Sequence, residues 1–181
     1  MRPLVYDVAI SVDGFIAGPD HDLSPYLYEG DHVPAYMARL SQYDATLMGR
    51  HTYTAGYAFG LEPGQRAYPH MEHYVFSRTL ELPADSPVRL LRDDPVGFTR
   101  DLKASEGGTI YLCGGGSLAG QLLSAGLIDT LILKINPVAL GGGTPLFGAQ
   151  PAPANMRLLD THVYDSGVTL VRYALSDHSV A

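Results

Sequence analysis

The order of apolar periods along the chain predicts an α/β protein, a mostly parallel sheet with an antiparallel pair of strands closing its C-terminal edge. Three observations carry this reading. Short β-branched and aromatic runs alternate with segments whose apolar residues recur at helical spacing. Residues 109–124 pass from an unbroken apolar run through three consecutive glycines into leucines at helical spacing. The chain then closes on two strand-like runs, Arg157–Tyr164 and Val168–Leu175, with Asp165-Ser166-Gly167 as the turn between them.

The individual elements follow in order. Leu4–Val12 reads as a strand, ended by the turn pair Asp13-Gly14 before Phe15-Ile16-Ala17-Gly18. Residues 18–30 mix Gly, Pro, Asp and His and predict an irregular loop. Asp31 stands where it would cap a helix that carries Val33, Tyr36, Met37 and Leu40 on one face, which reads as core. Pro34 is tolerated there because the first turn has no N–H bond to lose. Ala45–Met48 is a short buried strand leading into Gly49-Arg50-His51-Thr52 and a helical turn, and a Gly/Pro-rich loop covers roughly 60–70. His73–Phe76 and Val88–Leu91 read as strands, Pro95 opens a helix through about Ala104, and Thr109–Cys113 is the buried strand before the glycines. Thr130–Val138 is the next strand, followed by the glycine cluster 141–143 in GGGTPLFG and the closing hairpin. With no internal repeat and no linker composition, residues 1–181 read as one domain.

Composition narrows the function classes. The 181 residues are 46% hydrophobic and 17% charged, with a net charge of −7 and only two lysines, Lys103 and Lys134. No basic stretch can track a phosphate backbone, which argues against nucleic-acid binding. The single cysteine, Cys113, allows no intrachain disulfide, suits a reducing compartment, and leaves no cysteine-pair zinc site. His70 and His73 lack a convincing third ligand, so no metal is expected. There is no charged-then-apolar signal pattern and no apolar run of membrane length, so a cytoplasmic location without membrane contact is expected.

The chemistry points to the glycine turn. A strand, a Gly114-Gly115-Gly116 turn and a helix make a seat for pyrophosphate: the backbone comes close, and the free N–H groups and dipole at the helix start favour an anion. Gly114-x-Gly116-x-x-Ala119 also fits a loose dinucleotide fingerprint. A Rossmann dehydrogenase would end its next strand in an acidic residue, whereas Thr130–Val138 ends at Asn136 and Pro137. Within that strand Leu131, Leu133 and Ile135 share one face and Ile132, Lys134 and Asn136 the other. Two polar groups on a buried sheet need partners or an open cleft.

Met48-Gly49-Arg50-His51-Thr52-Tyr53 and Cys113-Gly114-Gly115-Gly116 occur in this order, with Ser11-Val12-Asp13-Gly14-Phe15-Ile16-Ala17 ahead of them. Together they resemble the dihydrofolate reductase-like superfamily, and within it the C-terminal reductase domain of the riboflavin-biosynthesis deaminase/reductase, RibD, and its stand-alone homologues. GGGTPLF and the closing hairpin fit that branch. The resemblance implies a three-layer α/β/α fold, NADPH as cofactor, a cis Gly114–Gly115 peptide, and a homodimer paired through the C-terminal strands. It places Arg50 at the adenosine 2′-phosphate, with Ser77 and Arg78 as a second donor pair. Thr52 and the amides of Gly114–Gly116 would hold the pyrophosphate, and Ile16 and Ala17 would flank the nicotinamide. Gly49, His51, Cys113, Ser117, Leu118, Gln121 and Thr144 complete the implied cofactor site. Two arginines without a carboxylate at those strand ends favour NADPH over NADH, because guanidinium pairs with phosphate in fork geometry.

Dihydrofolate reductases place an acid at the start of their first helix and a tryptophan in the preceding loop. This chain has no tryptophan. Asp31 is the nearest candidate acid, and helix capping accounts for it equally well. Lys134, beside the implied substrate cleft, could hold a phosphate or another anion. The expected activity is hydride transfer to a small, imine-like or carbonyl substrate, riboflavin-pathway or pterin-like, with Lys134 and Asp31 as the catalytic candidates. The alternative is a nucleotide-binding protein of the same fold without turnover.

Overall fold

The computed structural model describes residues 1–149 and 151–175. Its centre is an eight-stranded sheet of β1 (Leu4–Ser11), β3 (Tyr43–Gly49), β4 (Glu72–Phe76), β5 (Val88–Leu91), β6 (Thr109–Gly114), β7 (Thr130–Asn136), β9 (Met156–Val163) and β10 (Thr169–Leu175). The spatial order is β5-β4-β3-β6-β1-β7-β10-β9. β5 through β7 run parallel to one another, and β10 is antiparallel to both β7 and β9. A two-stranded ribbon, β2 (Phe15–Ala17) with β8 (Thr144–Pro145), stands apart. The glycine strand β6 lies fourth in the sheet, inserted between β3 and β1. A Rossmann arrangement, with that motif on the first strand, is therefore not what the chain builds.

Strand alternation sorts the side chains onto two faces, each covered by helices, which gives the three layers. On one face Leu4, Tyr6, Ile110, Leu112 and Leu131 pack with Leu102 of α3 (Pro95–Ala104) and with Leu118, Ala119 and Leu122 of α4 (Gly116–Ser124). On the other, Val5, Tyr111 and Ile132 meet Leu40 of α1 (Val33–Leu40), and Met48 and Val75 meet Tyr53 of α2 (Arg50–Ala55). α4 lies close to the segment after β8. A Cβ on Gly116 would sit 2.1 Å from the Pro145 carbonyl oxygen, and one on Gly120 2.1 Å from that of Phe147. Only hydrogen fits at these two positions.

Several boundaries and one expected role differ from the sequence reading. The first and seventh strands stop at Ser11 and Asn136, short of Val12 and Val138, and α4 begins at Gly116, one residue before Ser117. Asp31 does not cap α1. His32 is the N-cap residue, and the Asp31 carboxylate instead accepts the backbone N–H groups of Asp165 and Ser166 at 2.7 and 3.2 Å. It pins the hairpin turn to the helix start. The apolar stripe of α1 is also not core throughout: Leu40 is buried, but Met37 is 57% exposed. The hairpin itself forms as expected, closed by Tyr164 and Val168. None of the helices among the described residues is long and apolar enough to cross a membrane.

Candidate active site

Parallel strands deliver their C-terminal ends to one edge of the sheet, where α/β folds commonly bind ligands. Here β1 leads into Ile16 and Ala17, β3 into Gly49–Thr52, β4 into Ser77 and Arg78, and β6 into the glycine turn. One cleft of about 1250 Å³ runs along that edge. Ile16, Ala17, Gly49, Arg50, His51, Thr52, Ser77, Arg78, Cys113, Gly115, Gly116, Ser117, Leu118, Gln121, Thr144 and Lys134 all line it. Residues more than 100 positions apart in the chain are thus brought into a single groove. Gly114 lies just behind this lining, and its peptide bond to Gly115 is cis. Asp31 does not line the cleft. Its carboxylate is committed to the hairpin turn: desolvation pushes its pKa up, the bonds from Asp165 and Ser166 together outweigh that and hold it below the ordinary value, and the acid expected to be catalytic is a structural anchor outside the cleft.

One part of the lining suits phosphates. Thr52 Oγ1 lies 3.3 Å from where a Cβ on either Gly114 or Gly115 would stand, so side chains there would block the approach between hydroxyl and turn. Arg50 and Arg78 are exposed at the mouth. Ser77 Oγ accepts the N–H groups of Thr79 and Leu80, shaping the turn that presents Arg78. Arg92, missed in the sequence, braces the same turn by donating to the Ser77 and Leu80 carbonyls at 3.1 and 2.8 Å. The segment after Val12 is fixed from the far side. Asp13 accepts from Ser11 Oγ and from the N–H groups of Leu140 and Gly141, which pull its pKa down to about 2. This explains why the second glycine cluster follows β7: it positions β8 and Thr144 against β2.

Another part of the lining is aromatic. Lys134 stands opposite Ala9 of β1 on the α1 face of the sheet, its ammonium 4.6 Å from the centre of the Tyr36 ring. Desolvation lowers its pKa from the ordinary lysine value, opposed by the charge of Asp7. Asp7 is itself buried and held by Arg39, whose Nε donates at 2.7 Å, and by the Tyr43 hydroxyl at 3.2 Å. Tyr36 and Tyr111 bring their hydroxyls within 3.4 Å, and the Tyr68 hydroxyl lies 3.9 Å from Cys113 Sγ. Burial pushes Tyr36 up to about 12 and raises Tyr111 and Cys113. All four groups are neutral at pH 7, and Cys113 is part of the wall. The charges in this part are one carboxylate and two cations, so one positive charge is left for a ligand. His70 and His73 bond to backbone groups of Leu40, Tyr68 and Met71.

Sequence reasoning missed Asp7, Arg39, Tyr36, Tyr68 and Arg92. Asp7 was hidden inside a strand, and Tyr36 in a stripe whose helical spacing is that of ordinary core. The signal available for Asp7 was its own position, a lone charge in an apolar strand beside Lys134 in another.

The sheet order, the glycine turn after β6 and the cleft along the carboxyl edge define a dihydrofolate reductase-like α/β protein. The profile of the RibD C-terminal domain matches residues 2–170, and the chain belongs to that family. It is 30% identical over 183 residues to the uncharacterised protein YyaP of Bacillus subtilis (strain 168), covering 95% of this chain and 94% of that one. Among solved structures, a candidate riboflavin biosynthesis protein of Shewanella sp. PV-4 superposes with a TM-score of 0.80 at 26% identity, over 97% of this chain and 99% of that one. The diaminohydroxyphosphoribosylaminopyrimidine deaminase/5-amino-6-(5-phosphoribosylamino)uracil reductase of Thermotoga maritima shares the fold, with a TM-score of 0.69 at 17% identity. This chain spans 57% of its length.

Proposed function

We propose that the protein is an NADPH-dependent reductase that delivers hydride to an imine-like or carbonyl carbon of a small substrate bearing an anionic group. The observation that carries this is the shared cleft: the glycine turn, Arg50 and Lys134 all line it. Its volume of about 1250 Å³ exceeds the roughly 300–1,000 Å³ of a single-ligand pocket, as a dinucleotide together with a substrate requires. The residues present fit the cofactor. The side-chain-free approach at Gly114 and Gly115, with the Thr52 hydroxyl facing it, suits a diphosphate. Arg50 and Arg78 suit a further phosphate.

NADPH, when bound, supplies the hydride. The protein contributes position and electrostatics. Ile16 and Ala17 line the same cleft, and Ile16 lies beside the glycine turn, its Cδ1 3.9 Å from where a Cβ on Gly115 would stand. Lys134 favours an anionic group and draws negative charge toward itself, the more strongly because burial strips it of water. The Asp7–Arg39 pair keeps Lys134 from a full partnership with Asp7. In its family the chain represents the reductase part, and a ribosylaminopyrimidine phosphate or a pterin is the substrate class that the lining around Lys134 supports. The test is NADPH oxidation, followed at 340 nm, over a panel of phosphorylated carbonyls, pyrimidines and pterins. If NADPH binds yet turns over with none of them, the reading as a nucleotide-binding protein takes its place.

The closing hairpin supports a homodimer. Every residue of the edge strand β9 is exposed, including Leu158 at 53% and Val163 at 70%. An unprotected edge of this length invites pairing with a second copy. A monomeric mass by light scattering at micromolar concentration would overturn it.

A further inference from the structure

His21 and His51 meet across the cleft mouth. His21 belongs to the segment after β2, and His51 to the start of α2. Their rings stack with centroids 4.0 Å apart and planes 30° off parallel. Both rings line the cleft, alongside Thr52 and Gly115–Ser117. A second ring pair, Tyr28 with Phe59 at 5.5 Å, joins the same two segments farther along. Residues 18–30 thus form a strap across the groove. At its tip Asp20 and His21 both hold left-handed backbone, φ +56 and +61, a conformation that non-glycine residues adopt only under local constraint. The His21 ring is tied to its own side of the groove, Nδ1 lying 3.3 Å from Thr144 Oγ1 on β8, the strand paired with β2.

The protonation state of His51 can be read from its neighbour. An Arg50 guanidinium nitrogen lies 3.0 Å from His51 Nε2. A guanidinium can only donate, so that nitrogen accepts, and the imidazole is neutral. The cleft around the pair is lined by Arg50 on α2, Thr144 on β8, Arg78 beyond β4 and the uncharged glycine turn, while Asp20 and Asp22 flank His21 in the chain. The Asp22 carboxylate is taken up by the Ser24 N–H and hydroxyl. Partial desolvation first, then the neighbouring His21 and Arg50, disfavour the charged form of His51. Two imidazolium rings stacked at 4.0 Å beside a guanidinium repel one another, and an anion placed among them reverses that balance.

We propose that His21 and His51 form a proton-taking clamp for the diphosphate of a bound dinucleotide: the stacked rings part, flank the phosphates, and gain protons as the anion arrives. This rests on the NADPH reading above and adds His21, from the opposite wall, to the phosphate site. The protons come from solvent. Cofactor affinity therefore rises as pH falls through the neutral range, by up to about one decade per pH unit for each proton taken up.

The test is calorimetric titration of the full chain with NADPH between pH 6.5 and 8.5, in two buffers of different ionisation enthalpy, which counts the protons taken up. His21→Gln, His51→Gln and the double variant are measured alongside. Both rings are at the surface, and far-ultraviolet circular dichroism checks that the variants fold. The 2′-phosphate of NADPH titrates near pH 6, but this cancels in the difference between wild type and double variant. The expected result is net uptake in the wild type, reduced in each single variant and lost in the double. Identical uptake in wild type and double variant overturns the clamp and leaves the cofactor assignment standing. Uptake that depends on His51 alone overturns the pairing with His21. A wild-type chain that does not bind NADPH at low salt refutes the cofactor reading, and the clamp with it.

Discussion

Arg39→Met tests the ion pair beneath the substrate part of the cleft. The Asp7 side chain is 1% exposed and that of Arg39 17%, with Nε–Oδ2 at 2.7 Å and a second, longer contact at 3.4 Å. Methionine keeps much of the apolar stem and removes the guanidinium. Asp7 then retains one neutral donor, the Tyr43 hydroxyl, with Lys134 as the remaining cation nearby. A solvent-exposed pair of this kind would contribute at most about 1 kcal/mol. Stranding a buried carboxylate costs about 3–5 kcal/mol, and the burial of Asp7 puts this pair in that second class. With a urea m-value of about 2 kcal/mol/M, the midpoint falls by about 1.5–2.5 M. Urea titration at pH 7, followed by circular dichroism, measures this directly. The double variant Arg39→Met/Asp7→Asn removes the stranded charge and recovers most of the loss, giving a large coupling energy in the cycle. A single-variant loss under about 1 kcal/mol with no coupling would show that water reaches Asp7 and would refute the reasoning.

Four further outcomes are expected. NADPH binds at least about tenfold more tightly than NADH, and Arg50→Ala removes most of the gap, since one desolvated arginine–phosphate pair contributes roughly 1.5–3 kcal/mol; equal dissociation constants for the two cofactors in wild type would refute the role of Arg50. Lys134→Met lowers turnover while leaving the NADPH dissociation constant unchanged, because Lys134 stands against Tyr36 and near Asp7 and is not one of the groups proposed for the phosphates. Burial depresses the His73 imidazole to about 4, from about 6.5 when unfolded. Its contribution to stability is complete above pH 6.5 and declines as pH falls toward 4, by at most about 1.4 kcal/mol per unit, and His73→Gln flattens that part of the pH–stability curve measured by thermal melts. Gly120→Ala drives a methyl against the Phe147 carbonyl and costs about 1–3 kcal/mol of stability; an unchanged melting temperature would show that the segment after β8 yields freely.

The sequence by itself determined the elements and much of the groove. β-branched runs, glycine turns and the hairpin signature are local patterns, set by backbone sterics and by period 2 or 3.6, so they survive without knowledge of the fold. The motif around Arg50 and the glycine triplet were legible for the same reason: each is a strand end followed directly by its turn. What only the tertiary structure decided is the meaning of single residues. Asp31 looked like a cap or a catalytic acid, and it became a hairpin anchor because the turn at 165–166 folds back onto it. Tyr36 and Met37 looked like core, because the helical spacing of a cleft wall is the same as that of a buried face. Asp7 and Arg39 lie 32 positions apart, and His21 and His51 lie 30 apart. Each pair meets only when a helix and a separate strand or loop are packed together. Such long-range contacts carry no period, so the order of the residues can mark a lone charge such as Asp7 but does not name its partner.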